Sequence, residues 1–297
     1  MQEIQGTAGW VWRSIVFEVP WYTNYFWGLV TISLVVWGLE VLFPWRKEQG
    51  AFRKDFWLDG FYMFFNFFVF SVVISGFYAV IQRLFNDVGI AMSDLTLFNL
   101  SHLTIAGQLV VFFIVLDFVQ WITHIALHRW PVLWQFHKVH HSVEEMGFAA
   151  HLRYHWMENI LYKPLKTLGV MVLGGFEPTQ AFIVHFVAIA IGHLNHANVK
   201  ITWGPLKYIF NNPVMHLWHH AMFLPPDHPK GVNYGISLSL WDYLFGTHYI
   251  PESSGTITLG FEGLRDFPKD FWHQIIYGFK KNKKGSTDLE EHPSTQK

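Results

Sequence analysis

Residues 103–142 read LTIAGQLVVFFIVLDFVQWITHIALHRWPVLWQFHKVHHS. The part from 103 to 127 is apolar except for Asp117 and His124. As a helix it is long enough to cross about 30 Å of hydrocarbon. It then runs straight into histidines: His124 and His128 four apart, and His137, His140 and His141 as H-x-x-H-H. A membrane span that ends in a set of metal-ligating side chains decides the fold class, and the rest of the chain is read outward from it.

Two more spans precede it. Residues 25–43 are apolar with one acid, Glu40, near the end, and residues 60–81 carry no charge. Trp10, Trp12, Trp21 and Tyr22 stand before the first span where a cleaved signal would have a basic run and small residues. They read as an interfacial aromatic belt. Arg46, Lys47, Arg53 and Lys54 follow the first span, whereas residues 82–102 hold one arginine and no lysine. The positive-inside rule therefore puts residues 44–59 and the histidine end of the third span in the cytoplasm. Arg129, Lys138, Arg153, Lys163 and Lys166, and the tail lysines Lys280, Lys281, Lys283 and Lys284, agree. Residues 159–196 are apolar again but break at Gly174, Gly175 and Pro178. Each half is marginal for a full crossing, so the segment reads as a helical hairpin that dips into the bilayer. Beyond Val199 the chain is polar and punctuated by Pro and Gly, and the last dozen residues, from Gly285, read as a disordered tail. No internal repeat is visible.

Composition narrows the function. The 297 residues are 51% apolar and 14% charged, with net charge −1, which excludes a disordered chain and a nucleic-acid binder. There is no cysteine, so disulfides, thiolate zinc sites, iron–sulfur clusters and cysteine nucleophiles are all absent. Histidine is abundant at 18, and most of these lie between His124 and His220. His216, His219 and His220 make a second H-x-x-H-H. On a helix, positions i, i+3 and i+4 share a face, so each cluster can aim two or three imidazoles at one point. One tetrahedral zinc needs four ligands, so three clusters with eight imidazoles indicate two metals. A lone histidine such as His102 or His273 reads as a surface residue instead.

Imidazole suits zinc, copper, iron and nickel alike. A metal pair at the mouth of a membrane bundle faces acyl chains or sterols, whose C–H bonds are unactivated. Their cleavage takes a redox metal and dioxygen, and iron is the economical choice. Two alternatives stay open. A zinc hydrolase would use Glu144 or Glu145 as general base to a metal-bound water. A metal transporter would spread its ligands through the bilayer depth, whereas these gather at one edge.

The stretch 123–142, NPVMHLWHH at 212–220 and NYGISLSLWDYLFGTHY at 233–249 resemble the fatty acid hydroxylase / sterol desaturase superfamily of membrane diiron oxygenases. LRYHWMEN at 152–159 resembles its Arg-x-His-Pro-x-Glu element, and HLNHANV at 193–199 its His-x-Asn element. The resemblance implies an all-α, multi-pass transmembrane helix bundle with a cytosolic histidine-rich cap holding a dimetal site. It divides the chain into transmembrane helices at 1–116, a catalytic domain at 117–251 and a cytosolic segment at 252–297. The metal ligands it implies are His124, His128, His137, His140, His141, His196, His216, His219 and His220, with His193 one helical turn before His196 as a further donor. His155 and Glu158 match positions that orient a ligating imidazole. Asp117 and Asp242 are candidates for the same task, or for packing and capping. Trp156 stands where proline is usual, and Ile125 where arginine is common. His151 and His155 form an extra His-x-x-x-His, read as a polar helix face over the site. His185 lies inside the apolar hairpin, where a membrane-buried histidine is a functional candidate.

The activity implied is O2-dependent hydroxylation of a lipid, with two iron ions as cofactor, and desaturation of the same lipid class as the alternative. No G-x-G-x-x-G follows a strand and no His-Pro-Gly-Gly haem motif is present. Electrons must therefore come from a separate ferredoxin, or from cytochrome b5 with its reductase. The tail lysines suit anionic lipid headgroups. Without a fused donor or an ER-retrieval signal, the bacterial inner membrane is favoured over the ER.

Overall fold

The computed structural model describes residues 2–174, 178–251 and 257–279. Gly175, the tail from Gly285 and the tail lysines lie outside the described residues. The described chain is mostly helical and contains no β-strand, only the isolated bridges Phe210–Leu238 and Ala221–Leu259.

Helix α1 (Gln2–Ile15) precedes α2 (Tyr25–Leu42), and Asn24 joins them. Its Oδ1 accepts from the Trp27 N–H at the start of α2, and its Nδ2 donates to the Ser14 carbonyl at the end of α1. The expected span 60–81 is carried by α3 (Phe56–Phe64), a π-helical turn (Phe65–Val69) and α4 (Phe70–Asp87). Buried Asn66 sits in the π turn and donates to the carbonyls of Leu152 and Tyr154. A π turn inserts a residue into the helical ladder and re-aims the side chains around it, a feature common at functional sites.

Helix α5 (Ile105–Arg129) is the long one, at about 37 Å. Thr104 caps its start by accepting from the Gly107 N–H. Its end is set by Pro131. The residue before a proline is driven out of the helical region, and Trp130 is extended with φ −95° and ψ 118°. Pro131 then opens α6 (Pro131–His141) at the position where a missing N–H costs nothing. This turn folds the second histidine cluster back on the first.

The hairpin is α7 (Trp156–Val172) and α8 (Pro178–His196), followed by α9 (Pro213–His219), α10 (Leu240–Leu244) and α11 (Phe271–Gln274). His155 and Glu158 close a capping box at the start of α7. Asn212 caps α9, and Pro213 follows it. Helices α6 and α7 pack on α5, and α8 packs on α2, α5 and α9, so the four elements that carry histidines converge.

Two described helices, Tyr25–Leu42 and Ile105–Arg129, are long and apolar enough to cross a membrane. Only 22% of the most apolar window of each is buried, so their apolar side chains point mostly outward. Leu34, Val35, Val110, Ile114 and Ile122 are among those exposed. The core helix of a water-soluble domain would bury such residues.

Candidate metal centre

Nine histidines meet in two adjoining groups. His124, His128, His137, His141 and His219 form one; His140, His196, His216 and His220 form the other, with the ligand-capable atoms of each group within 4.8 Å of one another. The groups share walls: His140 and His141 are neighbours on α6, as are His219 and His220 at the end of α9. The His141 and His220 rings stack at 4.4 Å.

The outer nitrogens of several rings are already committed. His124 Nδ1–H donates to the Tyr234 carbonyl at 2.7 Å, and His219 Nδ1–H to Val232 at 2.8 Å. His140 Nδ1–H donates to Arg153 at 3.1 Å, and His196 Nδ1–H to Gly192 at 2.7 Å. Carbonyls only accept, so each bond fixes the tautomer and leaves Nε2 as a bare lone pair. Those lone pairs face one another, with His140 Nε2 3.4 Å from His196 Nε2. His219 Nε2 is buried with no partner. Opposed acceptors in a dry site are unfavourable unless a cation sits between them. Burial, with repulsion between neighbouring imidazoles, holds His137, His141, His216, His219 and His220 well below the usual pKa. Burial also brings His140 down to about 4. The rings are neutral near pH 7, the state that binds metal. The donor set therefore fits a pair of divalent transition metals.

The carboxylates have different tasks. Glu158 Oε2 is 3.0 Å from His137 Nδ1, while Oε1 accepts from the His155 N–H. Of the two tasks the sequence left open for Asp117 and Asp242, both take the packing one, because neither has a hydrogen bond to an imidazole. Asp117 accepts from the N–H groups of Ser237 and Leu238 and from the Trp241 indole. Asp242 accepts from the Tyr234 and Gly235 N–H groups, the Trp121 indole and the Thr247 hydroxyl. Both fasten the 233–249 loop to α5, and that loop presents the Tyr234 carbonyl to His124. Gly235 is required there, since a Cβ would collide with the Leu238 carbonyl and approach Asp242 Oδ2 at 2.9 Å.

His193 lies outside both groups. Its Nε2 is 3.3 Å from Ser33 Oγ, and its Nδ1 is 2.8 Å from His151 Nδ1. His155 is the N-cap of α7, where its Nδ1 accepts from the Met157 N–H. Trp156, in the usual proline position, donates from its indole to the Ile275 carbonyl and so ties the 271–279 segment to the cap. Glu144 and Glu145 accept from the side chain and the N–H of Lys54 and do not line the cavity beside the histidines. His273 pairs with Asp270, as expected of a surface residue. Trp218 packs on Tyr249.

A cavity of about 180 Å³ opens beside the two groups. His124, His137, His140 and His196 border it, together with Phe67 and His185. The sequence reading did not assign Asn66, Gln120, Asn159, Lys163 and Lys166 to this cavity. Charged residues inside an apolar hairpin were the signal that could have found the two lysines.

A mostly helical chain with two helices long and apolar enough to cross a membrane, and two buried polyhistidine groups able to hold metal ions, sets the class within which comparison is made. Comparison points the same way. Residues 109–247 match the fatty acid hydroxylase family model, in line with the superfamily that the motifs resemble. It is 31% identical over 184 residues to an ornithine lipid hydroxylase of Rhizobium tropici, covering 62% of this chain and 53% of that one. It is 27% identical over 259 residues to an alkylglycerol monooxygenase of Danio rerio, covering 82% and 51%. A methylsterol monooxygenase of Aspergillus fumigatus is 25% identical over 158 residues, covering 50% of each. The chain thus spans about half the length of these relatives. No solved structure matches it.

Proposed function

We propose that this chain is a multi-pass membrane diiron oxygenase that hydroxylates a lipid, with its histidine groups on the cytoplasmic side of a bacterial inner membrane. The observation that carries the reading is the pair of adjoining polyhistidine groups beside one cavity. The names of the three relatives described above, a lipid hydroxylase and two monooxygenases, support the same reading. The outward apolar faces of α2 and α5 support the membrane assignment.

His124, His128, His137, His141 and His219 would hold one iron, and His140, His196, His216 and His220 the other. Two irons bound there supply the activation of dioxygen that an unactivated C–H bond requires. The residues of the chain do the rest. The carbonyls of Tyr234, Val232, Arg153 and Gly192, and the Glu158 carboxylate, hold the rings in one tautomer. The cavity would hold the substrate carbon against the histidines, and placement within about 1 Å would govern the outcome. Overall, R–H, O2, two electrons and two protons give R–OH and water. The electrons come from a separate ferredoxin, or from cytochrome b5 with its reductase.

The test is metal content and oxygen reactivity. Detergent-purified protein, loaded anaerobically with ferrous iron, should hold about two irons per chain and react with O2, and His140→Ala should lower the iron content toward one per chain and abolish the oxygen reaction. One tightly held zinc, silent to oxygen, would overturn the reading.

A further inference from the structure

Helix α7 is an arm of the apolar hairpin, yet Asn159, Lys163 and Lys166 lie at i, i+4 and i+7 along it. That spacing places them on one face, and all three line the cavity beside the histidines. Two ammonium groups one turn apart in apolar surroundings are costly without a negative partner. The protein supplies little. Lys166 Nζ donates to the neutral Gln120 Oε1 at 2.6 Å. Lys163 has no hydrogen-bond or ion-pair partner among the described residues. Asn159 is 5% exposed, and its Nδ2 is buried without an acceptor.

The acids nearby are spent. Glu158 is the one carboxylate among the described residues that line the cavity, and it serves His137 and the His155 N–H. Asp117, whose field reaches Lys166, is engaged by the 237–241 loop. Three donor groups thus face one space, with no acceptor charge left to meet them.

We propose that the Asn159–Lys163–Lys166 face of α7 recognises the acidic group, carboxylate or phosphate, of a lipid whose chain lies in the cavity against the histidines. This rests on the oxygenase reading and names its substrate class. Lys163 is five residues from Glu158, about 7.5 Å along the helix axis. Glu158 in turn touches His137. The acidic group is therefore held close to the metal centre, and the carbon attacked lies near that end of the lipid rather than at the far end of its chain.

The test is equilibrium binding to the iron-loaded full chain in neutral detergent micelles, kept anaerobic so that nothing turns over. The probes are palmitate, dipalmitoyl phosphatidic acid and the uncharged hexadecanol. The wild type should bind one or both acids at least tenfold more tightly than hexadecanol. Palmitate ahead identifies a free fatty acid; phosphatidic acid ahead identifies a phospholipid headgroup. Lys163→Met/Lys166→Met should erase the preference, and Lys163→Arg/Lys166→Arg should keep it. If the Met variant does not fold, the wild-type comparison and Asn159→Leu, with a several-fold loss of acid affinity, still decide. Hexadecanol bound as tightly as both acids, or acid binding indifferent to loss of the lysines, overturns the proposal. Admitting O2 afterwards separates the two readings: normal oxygen consumption without acid preference sinks the subsite alone, and acid preference without oxygen chemistry sinks the oxygenase alone.

Discussion

The two histidine groups are built to different standards of rigidity. In the first, His124, His137 and His219 each spend Nδ1 on a carbonyl or carboxylate, and the 233–249 loop behind them is pinned by Asp117 and Asp242. In the second, His140 and His196 are tethered, but His216 and His220 leave Nδ1 buried without a partner. Their Nε2 atoms meet only other rings, His216 with His196 at 2.9 Å and His220 with His216 at 3.2 Å, so no backbone or carboxylate group fixes their tautomer. The first group is thus pre-formed, and the second is completed by what it binds.

The largest expected effect would test whether both groups hold metal. His124→Ala and His196→Ala, one from each group, should each lower iron content toward one per chain and cut activity by roughly 100-fold or more, since even outer-sphere partners are worth about 10–100-fold. Metal analysis of the two variants decides it; unchanged iron in either would break the pairing. Next comes Glu158→Gln. It keeps the capping-box hydrogen bond but puts an amide where the carboxyl faces His137, so activity should fall about 10–100-fold with little change in melting temperature. Glu158→Ala should lose about 1 kcal/mol of stability besides.

Asp242→Asn should be mainly a stability variant, costing roughly 2 kcal/mol in thermal denaturation because a buried charged acceptor is lost. The pH dependence runs in a definite direction. The buried imidazoles have folded-state pKa values below the unfolded value of about 6.5. The unfolded chain then binds more protons between those values, so metal-free protein should lose stability as pH falls below about 6.5 and keep it above. Melting temperatures at three pH values between 5 and 7.5 check this; a flat profile would mean the rings titrate alike in the folded and unfolded chain. The smallest effect is expected at His193. Held by Ser33 and His151, it should be replaceable by Gln with iron content unchanged; a loss of iron would add it to the second group.

Much of this was legible in the sequence, for physical reasons. Ligand spacing on a helix is a local property, so eight of the nine clustered histidines could be read from i, i+3 and i+4 patterns, while His196 came only with the family resemblance, and Pro131 marks the turn that folds one cluster on another. Backbone carbonyls carry no side-chain signature, so the partners from Tyr234, Val232, Arg153 and Gly192 could not be read. Charge counting treated Arg53 and Arg153 as loop charges that orient the chain. Both are buried and paired with Asp59, with side-chain exposures of 3% and 1%. Lys163 and Lys166 were counted the same way, although they line the cavity. Composition cannot distinguish a lysine at a membrane surface from one facing a pocket. Asn66 was invisible too, because a π turn leaves no periodic mark in the sequence.

Both histidine groups draw on α9. His219 belongs to the first and His216 and His220 to the second. A ribosome makes α5 and α6 first, then the hairpin, then α9. Neither group can be completed while any of residues 1–215 is still being synthesised. The two histidine groups therefore cannot close until α9 has been made, by which time the hairpin residues that line the cavity are already in place.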